Sequence, residues 1–245
     1  MRLGRRLAVF FLALISAGAI ANETSIDLGS SPLRPFEATY DTSTMGMTLD
    51  LKRSLTQDED VYTLASRGKN LLINMQESAD FRISEGRIEG IRFDSKVKSL
   101  KTTKRSVRFN RADGIIDSMK RGDWTQHQWA PHILDRFSQQ QQLRLTLMSS
   151  KKPPPTLSFT VVDGPKVSEK DWERAADEVI QTPVGAIDTV KYRAVHSNPS
   201  KRASEIWLAP KLDFLMIKTI HVERSTRITV TLKDLTWLDE TPSSN

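Results

Sequence analysis

The sequence predicts a mainly β protein built from antiparallel strands, with a single helix near its middle. Three observations carry that reading: apolar residues recur at every second position over most of the chain, glycine-containing turns separate those runs, and one central stretch carries helical spacing. A period of two puts alternate side chains on opposite faces of a pleated strand. One face is buried and the other wet, as in antiparallel sheets.

The chain opens with a targeting signal rather than a fold element. Arg2, Arg5 and Arg6 precede an apolar run from Leu7 to Ala17, and Ala19-Ile20-Ala21 has the small-x-small pattern of a cleavage site. The expectation is a signal peptide over 1–21 and a mature chain beginning near Asn22. The apolar run is too short to cross a hydrocarbon layer about 30 Å thick, so no transmembrane span is expected after cleavage. With no cysteine at the cleavage point there is no residue to acylate. The predicted compartment is the periplasm, without lipidation.

Residues 22–34 hold Ser, Gly and Pro without a period and read as a flexible lead-in. A single β-rich domain is expected over 35–238, followed by a tail at 239–245. Phe36, Ala38 and Tyr40 alternate with Glu37 and Thr39, and Val61, Thr63 and Ala65 repeat the pattern. Asp58-Glu59-Asp60 reads as a solvated turn. Phe81 and Ile83 run into Glu85-Gly86, and Ile91 and Phe93 resume beyond it. Arg105, Val107 and Phe109 lead to an Asp113-Gly114 turn and the restart at Ile115-Ile116. Glycine at such turns admits positive φ at little steric cost.

Pro131 suits the first turn of a helix running to about Met148, with Leu134, Phe137, Leu145 and Met148 along one face. Gln139 to Gln142 would then face water. Lys151-Lys152-Pro153-Pro154-Pro155 ends the helix, because proline lacks the donor and fixes φ. Leu157, Phe159 and Val161 restart the alternation before Asp163-Gly164. Residues 168–181 are ambiguous: Trp172, Ala175, Ala176, Val179 and Ile180 have helical spacing, while the surrounding meander favours strand. Thr182-Pro183-Val184-Gly185 reads as a type I turn. Strands are then expected over Ile187 to Val195, Glu205 to Leu208, Leu215 to Val222 and Arg227 to Leu235.

Composition excludes several chemistries. The 245 residues include no cysteine, so disulfides, thiolate metal sites and cysteine nucleophiles are unavailable. Cleavage would remove three arginines and no acid, lowering the formal charge from +6 to +3, well short of a nucleic-acid binder. No phosphate-binding loop, nucleotide fingerprint, serine elbow or His-Glu-x-x-His pair is present. The four histidines are scattered: His127 and His132 straddle Pro131, His196 sits in a loop and His221 in a strand. No catalytic residue, metal site or cofactor is expected.

Two features stand out. Lys96, Lys98, Lys101, Lys104, Arg105, Arg108 and Arg111 form a basic strip with no acid among them. It suits anionic headgroups or an acidic protein surface; alternatively its lysines guard a strand edge against pairing. Trp124 and Trp129 bracket a polar stretch before the helix, where a bulky ring either plugs a barrel end or lines a ligand mouth. Trp207 is expected in the core.

Asp135-x-x-Ser138 followed by Leu143-Arg144, then Thr182-Pro183-Val184-Gly185, Ile206-Trp207-Leu208 and Leu215-Met216-Ile217, resembles the exported bacterial family known as domain of unknown function 3108. Thr44-Met45-Gly46 stands for the family's early small-residue segment. The resemblance implies a periplasmic protein with a curved antiparallel sheet or incomplete β-barrel and one helix near the opening, an outline similar to the Lol lipoprotein carriers. Mapped here, Asp135 and Arg144 would pair beside the helix, or Arg144 would pin it. Trp124, Trp129, Arg144 and Trp207 are the candidate ligand-binding residues. The expected function is a non-enzymatic, soluble binding or chaperone-like protein of the envelope, holding a lipid acyl chain or an outer-membrane protein client. The alternatives are an interaction protein supporting an envelope assembly through its surface, and a periplasmic hydrolase.

Overall fold

The computed structural model describes residues 32–44 and 46–238; the expected signal peptide, most of the expected lead-in and the tail lie outside the described residues. The chain divides into units at 1–31 and 32–245, and every described residue belongs to the second. A continuous meander comes first, made of β1 (Phe36–Thr44), β2 (Met47–Asp58), β3 (Val61–Lys69), β4 (Asn74–Ser84), β5 (Arg87–Lys98), β6 (Thr102–Asn110), β7 (Ile115–Lys120) and β8 (Asp123–Gln128). A short β9 (Ile133–Asp135) leads to the helix α1 (Gln139–Ser149). Then follow β10 (Thr156–Asp163), β11 (Lys166–Arg174), β12 (Glu178–Thr182), β13 (Gly185–Ala194), β14 (Arg202–Ala209), β15 (Leu215–Glu223) and β16 (Thr226–Trp237).

The last strand returns to the first, with Phe36 opposite Trp237 and Thr44 opposite Ile228. The spatial order is therefore β8-β7-β6-β5-β4-β3-β2-β1-β16-β15-β14-β13-β11-β10-β9, with β12 paired only to β13. Phe36, Tyr40, Leu55, Leu64, Phe81, Phe93 and Val107 bury one face of the meander. Bulges at Thr39/Tyr40 and Asp80/Phe81 add local bend to the ladder.

The sheet is not closed by backbone pairing. Its two ends meet through side chains instead: Lys120 on β7 donates to Asp163 at 2.9 Å, and Arg105 on β6 lies 3.4 Å from the same carboxylate. The Ser118 hydroxyl accepts from the Gly164 amide at 2.8 Å, and His127 Nε2 bonds the Gly164 carbonyl. Gly164 has φ +61°, and a Cβ there would lie 2.6 Å from the Lys120 Cβ, so only glycine fits this approach. The architecture is a large curled sheet, an incomplete barrel with one helix, as expected.

Several local expectations need correction. The helix does not start at Pro131, because Ile133, Leu134 and Asp135 pair in parallel with Thr160, Val161 and Val162. Asp135 then turns the chain: its Oδ1 accepts from the Phe137 and Ser138 amides at 2.7 and 2.9 Å, and its Oδ2 from the Ser138 hydroxyl at 2.6 Å. The glutamines do not simply face water. Gln141 is buried, and Gln142 Oε1 accepts the Ile88 amide, tying α1 to β5. Met148, expected on the inner face, is exposed. Trp124 sits on a regular edge strand rather than in an irregular stretch, and residues 166–174 and 178–182 are strands. The basic strip does not guard an edge, since β7 and β8 lie beyond β6.

Candidate functional site

In β2, Leu51, Arg53 and Leu55 all point to the buried face, so an arginine occupies a position the alternation reserves for an apolar residue. Its neighbours across the ladder are Ala38 and Ser66, both buried and small enough to leave room for a guanidinium. Arg53 Cζ lies 4.8 Å from the centre of the Phe137 ring, and Nη1 is 3.9 Å from Met216 Sδ. Nη2 has no hydrogen-bond partner among the described residues.

Arg144 reaches the same place from the helix. Leu143, Arg144, Leu145 and Leu147 are all buried, so α1 is enclosed on more than one side. Arg144 Nε donates to the Asp213 carbonyl at 3.1 Å and Nη1 to Gln141 Oε1 at 2.9 Å, while Nη2 is again unpartnered. The Asp213 carbonyl is aimed by two successive left-handed residues, Asp213 at φ 51° and Phe214 at φ 52°. That conformation is uncommon for phenylalanine.

Arg53 and Arg144 line one void of about 10 Å³, with Phe36, Tyr40, Ile206, Leu215 and Met216 among its walls. That volume is on the order of what one water needs. Neither arginine forms an ion pair with a described carboxylate; Glu77 and Asp213 act on them only at longer range. Burial, first of all, lowers the pKa of both; for Arg144 the net result is about 10, with Tyr40 and Asp213 opposing the shift and the charge of Arg53 adding to it. Tyr40 does not serve as counter-ion. Burial pushes its pKa up to about 12, and its hydroxyl donates to the Met216 carbonyl at 3.0 Å.

Burying two cations this way is costly. Moving each cation out of water costs several kcal/mol, whereas a cation–π contact returns about 0.5–2 kcal/mol. Each guanidinium keeps an unpartnered nitrogen in this buried space, a donor of the kind that carboxylate or phosphate oxygens accept from.

A family model described as protein of unknown function (DUF3108) matches residues 36–230. The chain belongs to the DUF3108 family. No curated protein matches it. Among solved structures, the DUF3108 chain is similar to a β-barrel-like DUF1849 protein from Brucella abortus, at 11% identity and TM-score 0.53, covering 85% of this chain and 99% of that one. That likeness concerns the fold. A proposed lipoprotein from Parabacteroides distasonis aligns at 9% identity and TM-score 0.31, over 84% and 96% of the two chains. A proposed exported protein with a YmcC-like fold from Bacteroides fragilis aligns at 12% and 0.31, over 83% and 96%.

The structure of this DUF3108 protein does not bring the four candidate ligand residues together. Arg144 alone lines the buried site. Trp207 is 2% exposed but lies on the face of β14 opposite Ile206, where its indole donates to Glu178 at 3.0 Å and Lys191 and Lys218 flank its ring. Trp124 is 55% exposed, and Trp129 is partly buried under the Arg111 guanidinium. Asp135 and Arg144 do not pair, because both Asp135 oxygens are taken up by the turn before α1. Arg53 was not singled out by the sequence reading. The signal was Leu51-x-Arg53-x-Leu55, a charge in the inward register.

Other groups fall short of a site. Ser204 Oγ lies between His221 Nδ1 at 2.9 Å and His196 Nε2 at 3.2 Å, and Glu223 is 3.9 Å from His221. This is the closest approach to a nucleophile and base among the described residues. Burial, first of all, lowers the pKa of both histidines, and none of these residues lines the void beside Arg53 and Arg144. An open depression of about 500 Å³ near Pro153 and Pro155 has its two charges, Arg174 and Asp177, paired with each other. Among the described residues no group of three His, Asp or Glu could hold a metal. No helix among them is long and apolar enough to cross a membrane.

Proposed function

We propose that this DUF3108 protein is a non-enzymatic binding protein of the bacterial envelope, acting in the periplasm, which holds the anionic head of an amphiphile between Arg53 and Arg144. The carrying observation is the pair of buried guanidiniums without a carboxylate partner. Buried charges whose pKa is strongly shifted by desolvation are candidates for functional positions. The ligand class is a fatty acid or phospholipid, whose carboxylate or phosphate would face the two arginines. The void admits a small part of such a molecule, so loading requires α1 to shift from β5. Gln142 ties it there through the Ile88 amide and, at 3.3 Å, the Gly86 carbonyl, and the buried Leu143, Leu145 and Leu147 would have to move with it.

Native mass spectrometry of protein purified from periplasm tests this. Retained mass matching an anionic lipid is expected in the wild type and not in Arg53→Met or Arg144→Met, which keep side-chain volume and remove charge. The reading fails if the wild type carries no added mass and added oleate or phosphatidylglycerol leaves its melting temperature unchanged.

A further inference from the structure

The two hairpin tips nearest the basic strip present apolar side chains that nothing covers. Leu71 and Leu72 cap the β3–β4 hairpin at 102% and 63% exposure, and Leu100 caps β5–β6 at 103%. Both tips are ordered by their own bonds. Asn70 Oδ1 accepts from the Leu72 and Ile73 amides at 2.9 and 2.8 Å, and the Ser99 amide and hydroxyl both donate to the Lys101 carbonyl at 3.2 Å. Asn74 of β4 pairs with Lys69 on one side and Lys98 on the other, so the tips lie at the same end of the sheet. At about 4.8 Å per strand, they stand roughly 10 Å apart.

Cations surround and trail these tips. Lys69, Lys98 and Lys101 flank the leucines and are exposed. Behind them, register places Lys52, Arg67, Gln76, Lys96 and Lys104 on one rung of β2 to β6, all on the exposed face. The arginines of the sequence-defined strip are different. Arg105, Arg108 and Arg111 are paired with Asp163, Asp94 and Glu89, whereas the lysines carry no ion pair with a described carboxylate.

We infer that this end of the sheet docks on an anionic phospholipid bilayer, the three leucines entering the interface and the lysines contacting headgroups. A lone exposed leucine is ordinary, but three on two adjacent tips inside an unpaired cationic collar match what an interface offers: apolar depth beneath negative charge. The inference uses none of the residues of the Arg53–Arg144 site and stands independently of it.

Co-sedimentation of the mature protein with vesicles tests it. Binding is expected to phosphatidylglycerol-containing vesicles and not to pure phosphatidylcholine, and to weaken as salt rises from about 0.1 to 0.5 M, where screening shortens toward a few ångström. Replacing Leu71, Leu72 and Leu100 together with serine is expected to weaken binding about 1000-fold, since each buried leucine contributes roughly tenfold. Lys98→Glu with Lys101→Glu is expected to abolish the lipid preference. All these positions are exposed, so an unchanged melting curve verifies the fold. Equal binding to both vesicle types, undiminished binding by the leucine variant, or no binding to anionic vesicles overturns the inference. Lipid retained inside the protein is read separately by mass spectrometry.

Discussion

Lys120 and Asp163 are joined at 2.9 Å between β7 and the end of β10, strands that share no backbone ladder. The bond stands where a closed barrel would have a row of main-chain hydrogen bonds. Burial by itself would raise the Asp163 pKa, but the Lys120 hydrogen bond and the Arg105 charge outweigh it and hold the carboxyl below its ordinary value. A depressed folded pKa stabilises the fold above the unfolded value of about 3.9, and that contribution is lost as pH falls through the folded pKa. Urea midpoints measured from pH 5 down to pH 3 are expected to fall further for the wild type than for Asp163→Asn, which has no such charge to lose.

Gly164 sits beside that bond. Alanine there must adopt φ +61° and place its Cβ 2.6 Å from that of Lys120. Gly164→Ala is expected to destabilise by about 1–2 kcal/mol from the backbone alone, with more from the clash. Chemical denaturation measures the total. Hydrogen exchange faster in β7 and β10 than in β1 and β2 would locate the damage at the seam.

Arg53 makes the opposite forecast. A buried ion replaced by an apolar residue of similar volume is often neutral or stabilising by about 1–4 kcal/mol. Arg53→Met is therefore expected to raise or leave unchanged the denaturation midpoint while losing ligand. A large loss of stability would mean that the guanidinium is a structural strut.

Asp135 supplies three acceptor contacts to the turn that launches α1. Asp135→Ala leaves two buried amides unsatisfied at about 1–3 kcal/mol each. Asp135→Asn keeps an acceptor for them and is expected to lie between wild type and alanine in thermal melts.

Trp207 fills the space between Lys191, Lys218 and Glu178. Trp207→Ala is expected to destabilise by roughly 3–5 kcal/mol. A melting temperature near that of the wild type would refute a core role for this ring.

Sequence alone determined what local periodicity can encode. Phe36-x-Ala38-x-Tyr40, Arg105-x-Val107-x-Phe109 and the glycine turns at Gly86, Gly114 and Gly164 specify strands and reversals, because a pleat repeats every two residues and a tight turn needs particular φ values. Helical spacing was less secure: Ile133 to Asp135 fit the helical pattern and became a strand, since parallel pairing with β10 is a contact no local pattern announces. Tertiary structure alone decided that Arg53 on β2 meets Arg144 on α1, that Lys52 through Lys104 share a rung, and that the sheet curls until Lys120 finds Asp163. Those relations depend on register and curvature summed over many strands, and a one-residue slip anywhere between them would send each side chain to the other face.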